Sequence, residues 1–213
     1  MSLFTVNRNF FAPLFAIAIL CLSQNGFADV SKTYDLDPFS AIKLRVPGDV
    51  KVKVGEEQRV KITADEDVFK TLKLKLKNGI LTITEEKNRR WGDDIEIEIS
   101  VRELNSVRIS GAGSFEIDNI QADTFTAQIS GSGDIKANGK VRKLALNISG
   151  SGDIKMENLE AEHVDVKISG AGDAKVYAKT LLKTRISGSG DIAYRGNPKL
   201  ETKISGSGNV KSL

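Results

Sequence analysis

The pentapeptide Ile-Ser-Gly-(Ser/Ala)-Gly occurs six times, starting at Ile109, Ile129, Ile148, Ile168, Ile186 and Ile204, at spacings of 20, 19, 20, 18 and 18 residues. Of the 19 glycines in the 213-residue chain, twelve lie in these copies. A fixed period in this range marks a solenoid, whose units bury their apolar faces only by stacking on one another. Paired glycines at each copy mark a corner, where the chain needs positive φ or an approach too close for a Cβ. Stacked corners about 4.8 Å apart leave little room for side chains.

The flanking residues narrow the kind of solenoid. Upstream of the motif, apolar and polar residues alternate in Phe125–Ile129 (FTAQI), Leu144–Ile148 (LALNI) and Val164–Ile168 (VDVKI). That is a strand with one buried face. The later copies put Thr184 and Thr202 at the middle position. Downstream, a second short alternation places Phe115, Ile135, Ile154, Ala174, Ile192 and Val210 at the inward position. A leucine-rich repeat would need a Leu ladder and a helical side, and an up-and-down barrel would not need identical corners at a fixed interval. The reading is all-β: a right-handed parallel β-helix-like solenoid with about 18–20 residues per rung in the C-terminal half. Aliphatic ladders fill such a core, which accounts for an aromatic content of only 6%.

The earlier half alternates too, in Ile42–Val46, Val50–Val54, Leu72–Leu76 and Ile95–Ile99, with turn signals at Pro47-Gly48, Gly55 and Asn78-Gly79. One helical turn is expected within Asp65–Thr71. No linker composition divides the halves. Residues 29–213 are therefore expected to form a single β-solenoid domain, with 29–100 less regular and 101–213 carrying the six repeats.

Residues 1–28 read as a signal peptide. Arg8 precedes the thirteen-residue run Phe10–Leu22, which contains Pro13 and is too short to span a bilayer. Gly26 and Ala28 then supply small residues before Asp29. Cys21 follows Leu20, where a lipidated cysteine needs a small neighbour. Cleavage after Ala28 removes the chain's one cysteine and leaves an exported fold without disulfides. No integral membrane segment is expected in the remainder. The formal charge of +3 gives no electrostatic case for nucleic acid, and one His and one Cys cannot build a Cys/His zinc site.

Phe39-Ser-Ala-Ile-Lys-Leu, Pro47-Gly-Asp-Val-Lys-Val, Asn78-Gly-Ile-Leu-Thr-Ile and Val101-Arg-Glu-Leu-Asn-Ser-Val-Arg-Ile-Ser-Gly-Ala-Gly form a characteristic series. On these motifs the chain resembles the auto-transporter adhesin head GIN domain family of bacterial exported proteins, over roughly residues 34–213. The resemblance implies a right-handed β-helix-like fold and export across the inner membrane. It brings no established catalytic residues.

Asp134, Asp153, Asp173 and Asp191 recur at one repeat position, with Ser114 and Asn209 in the first and last copies. Calcium is the alternative such a column raises, since six to eight oxygens are needed and turn carbonyls could add some. Lys136, Lys155 and Lys175 follow two residues on, on the same outward face, so a solvated charge ladder is the preferred reading and no cofactor is expected. Phosphate cradling needs a helix after the glycines, whereas here a strand follows. Serine catalysis would single out one Ser among six equivalent copies, and His163 is the sole imidazole, with no visible partner set. The non-repeated stretch Lys87–Asp94 holds Arg89, Arg90 and Trp91, the candidate ligand contacts. Trp can stack on a sugar or anchor a protein.

The function expected from these residues is a non-enzymatic exported β-solenoid, an adhesin-like binding or structural module. Its location would be periplasmic, outer-membrane surface or extracellular. The alternative is a carbohydrate-binding or carbohydrate-active protein using the face near Trp91. A protein or glycan partner of unknown identity is expected, with self-association through terminal rungs.

Overall fold

The computed structural model describes residues 29–86 and 95–213, and places them in a β-solenoid of about five turns. The first part supplies β1 (Val30–Tyr34), β2 (Ala41–Leu44), β3 (Asp49–Val54), β4 (Arg59–Ala64), β5 (Leu72–Lys77), β6 (Ile80–Glu85) and β7 (Glu96–Val101). Then come β8 (Ser106–Gly111), β9 (Ser114–Gly131), β10 (Asp134–Gly150), β11 (Ile154–Gly170) and β12 (Ala174–Gly188). β13 (Ile192–Arg195), β14 (Lys199–Gly206) and β15 (Val210–Ser212) follow. One sheet joins all fifteen strands. The only helical element among the described residues is a 3-10 turn at Val68–Lys70, inside the stretch expected to turn.

The repeats stack in parallel and in register. Ile109 pairs with Ile129, Ile129 with Ile148, Ile148 with Ile168, Ile168 with Ile186, and Ile186 with Ile204. Period-two patterning sends these side chains inward, and the first five are 0–2% exposed. Beyond the corner, Phe115, Ile135, Ile154, Ala174 and Ile192 form a second buried column that continues to the partly buried Val210. Burying one such aliphatic side chain contributes about 1.5–3 kcal/mol, and the ladders repeat that gain at each rung.

The corner glycines are required by the stack itself. Gly150 has φ 138°. A Cβ there would overlap the carbonyl oxygen of Gly131 on the neighbouring rung, and one on Gly152 would overlap that of Gly133. The first glycine of each motif thus supplies a backbone shape that L-residues resist, and both let one corner sit directly on the next.

Two features are richer than the sequence pattern. The segments linking one repeat to the next are strand rather than loop, since Val141 pairs with Ala122 and with Ala161 in the adjoining rungs. They bend at Gly139 (φ 130°) and at Asn119 (φ 64°), where the register also shifts. The less regular half extends the same stack: β2 lies parallel between β6 and β8, and β3 lies parallel between β7 and β9. It departs from the solenoid where β4 runs antiparallel to β7 and β1 antiparallel to β4, and where β5 folds back on β6.

Candidate functional site

On a parallel solenoid each outward position becomes a column about 4.8 Å per rung, so the chemistry of a face is the chemistry of its columns. Several outward cations are paired with carboxylates on the same or the next rung. Lys51 reaches Glu96 at 2.6 Å, Lys61 reaches Glu98 at 2.8 Å, and Lys136 reaches Glu116 at 2.8 Å. Arg142 grips both carboxylate oxygens of Asp123, and Glu160 lies between Lys140 and Lys179 at 3.4 and 3.0 Å. Hydrogen bonds from these cations hold Glu98, Glu116, Asp123 and Glu160 below their ordinary pKa values.

The aspartate column has a backbone partner. Oδ1 of Asp134 accepts from the N–H of Asp153 (2.9 Å), Asp153 from Asp173 (3.0 Å), Asp173 from Asp191 (2.7 Å) and Asp191 from Asn209 (2.9 Å). Each carboxylate therefore caps the strand that leaves the next corner, satisfying an N–H that the glycine turn would otherwise leave to water. No group of three or more potential metal-ligating side chains occurs among the described residues. Lys136, expected to offset this column, turns to Glu116 instead.

One column differs from the paired ones. The residue just before each motif isoleucine is Arg108, Gln128, Asn147, Lys167, Arg185 or Lys203, and register carries the line back to Lys43. The column thus runs cation, cation, amide, amide, cation, cation, cation, with no carboxylate in it. Among the described residues, no ion pair engages Arg108, Lys167, Arg185 or Lys203. Desolvation, then repulsion from Arg45 and Arg108, lowers the Lys43 pKa, as expected where like charges gather. Beside this row stands a second column of one kind, the hydroxyls of Ser110, Ser130, Ser149, Ser169, Ser187 and Ser205. Together they form a flat strip of cations, amides and hydroxyls along the solenoid. The signal was present in the sequence, because the position before the motif is never acidic. It stays hidden while attention rests on the glycines.

Arg89, Arg90 and Trp91 lie outside the described residues, in the segment between β6 and β7, as does the expected signal peptide. His163 sits half-buried in β11, between Lys143 and Leu181 of the adjoining rungs. A cleft of about 570 Å³ borders Leu36, Phe39 and Gln58. Gln58 spends its amide there on the backbone, donating to Leu36 O (2.7 Å) and Asp37 O (3.1 Å) while accepting from Phe39 N–H (3.1 Å). Its role is to pin the β1–β2 connection.

Fold and surface define a β-solenoid with repeated outward ladders. The chain belongs to the family described as "putative auto-transporter adhesin, head GIN domain", whose model matches residues 38–198. The fold is similar to that of a putative adhesin from Bacteroides fragilis (20% identity, 88% of this chain and 98% of that one, TM-score 0.74). It is also similar to a putative adhesin from Parabacteroides distasonis (20% identity, 87% and 97% covered, TM-score 0.59). A protein of the same organism described as a "putative lipid binding protein" matches at 21% identity (87% and 96% covered, TM-score 0.55). Comparison with proteins of curated function gave no match.

Proposed function

We propose that this chain is a non-enzymatic, exported envelope or surface module of the adhesin-like kind, which holds an anionic polymer such as an acidic polysaccharide along its cation–amide–serine strip. The observation that carries the reading is the row from Lys43 to Lys203, in register and without a carboxylate. Cations stacked in two runs along one row suit a ligand that carries several negative charges, and the amides and hydroxyls between and beside them can bond its neutral groups. The repeating ladders favour binding over catalysis, because a catalytic set is one convergent cluster in a distinct environment, whereas these columns repeat one environment from rung to rung. Family membership supports the adhesin-like role and export.

The test is a glycan array holding acidic and neutral polysaccharides, probed with the wild type and with Arg108→Gln/Lys167→Gln/Arg185→Gln. Retention on acidic members alone, lost in the triple variant, is expected. Equal binding of both classes, or binding that survives the triple variant, would remove the proposal.

A further inference from the structure

Among the described residues, β14 is hydrogen-bonded along one edge only, to β12. Its inward side chains Leu200 and Ile204 are 43% and 39% exposed, although Leu182 and Ile186, their neighbours one rung in, are fully buried. An unpaired strand edge beside uncovered apolar side chains is a template for another strand.

This edge is self-complementary about Thr202. Set a second β14 antiparallel across a two-fold axis at Thr202. Leu200 of each copy then falls opposite Ile204 of the other, Glu201 opposite Lys203, and Thr202 opposite Thr202. Apolar side chains meet on the inward face and opposite charges meet on the outward face, the pairings that stabilise directly opposed residues. Moving the axis to Glu201 or to Lys203 puts like charges face to face. Placing it between two residues sets inward side chains against outward ones, because strand side chains alternate.

A second observation agrees. The column holding Thr202 is apolar in earlier rungs, with Ala127, Leu146 and Val166, and turns polar at Thr184. Thr184 is 4% exposed and shares a hydrogen bond with Thr202, Oγ1 to Oγ1, at 3.0 Å. Across the axis a second Thr202 meets the first, so the hydroxyls of both copies join in one line. We infer that β14 pairs with β14 of a second copy in this register, giving an end-to-end two-fold dimer. The inference is independent of what the cation strip binds.

Charge exchange tests it. Light scattering over a hundredfold concentration range should give a dimer mass for the wild type. Glu201→Lys and Lys203→Glu should each weaken the dimer at least tenfold, because each sets like charges opposite at both symmetry-related positions. The double variant Glu201→Lys/Lys203→Glu should restore it. The register is read directly by Thr202→Cys in a Cys21→Ser background, where oxidation should link two copies through residue 202. A monomeric wild type, single variants that remain dimeric, a double variant that stays monomeric, or a Thr202→Cys protein that resists cross-linking would each overturn the inference. Circular dichroism confirming native strand content in every variant assigns the loss of dimer to the interface.

Discussion

The N–H of Asp173 donates to Oδ1 of Asp153 at 3.0 Å, one rung away, and the bond repeats from Asp134 to Asn209. A carboxylate at this position is thus a cap on the neighbouring strand. Asp153→Ala should cost about 1 kcal/mol, the ordinary worth of one such bond. Asp153→Asn keeps an acceptor and should cost less. Urea denaturation midpoints read the difference, and millimolar calcium against chelator should leave the wild-type Tm unchanged.

The glycines divide by what lies beneath them. Gly150→Ala meets both a φ of 138° and the carbonyl oxygen of Gly131. Gly111 has a similar φ of 132°, but a Cβ there would have no neighbour within 4 Å. Gly111→Ala should therefore cost only the backbone strain, about 1–3 kcal/mol. Gly150→Ala should cost distinctly more, because two rungs must also part. Equal losses in thermal unfolding would mean that φ alone selects glycine at these corners.

Acid should weaken the fold through its ion-paired ladders. Lys61, Lys136 and Arg142 hydrogen-bond Glu98, Glu116 and Asp123, and hold the folded-state pKa of each below its ordinary value of 4.5 or 3.8. A lowered folded-state pKa means the unfolded chain takes up protons first as pH falls. The contribution of these pairs is complete above about pH 5 and is lost as pH drops through the lowered values. Urea midpoints should stay level on this account above that point and fall below it. The decline should be shallower at about 1 M salt, where the screening length is about 3 Å.

Much of this architecture was legible in the sequence, because a strand's period of two and a rung's period near 19 are both written in side chains. The inward columns headed by Phe115 and Ile109 follow from those periods alone. The antiparallel additions β1, β4 and β5 were not legible, since alternation in Leu72–Leu76 fits parallel and antiparallel partners equally. The Asp153–Asp173 bond was hidden for a related reason: it joins a side chain to a backbone group twenty residues away, and no pattern of residue types encodes a register. The cation strip was written at the position before each isoleucine. It gained meaning only once stacking placed Lys167 beside Arg185.

Paired and unpaired cations should respond differently to an acidic polymer. Lys136 is held by Glu116 at 2.8 Å, while Arg185 stands in the cation row between Lys167 and Lys203. Lys136→Gln should leave affinity within about twofold, since a charge already neutralised adds little to the surrounding field. Arg185→Gln should lower affinity about tenfold, the equivalent of about 1.4 kcal/mol. Raising salt should weaken the wild type steeply and Arg185→Gln less so, because each cation that contacts the polymer adds to the salt dependence. Calorimetric titration at two ionic strengths separates the cases. Equal losses for the two variants would mean that net charge, and not the row, holds the ligand.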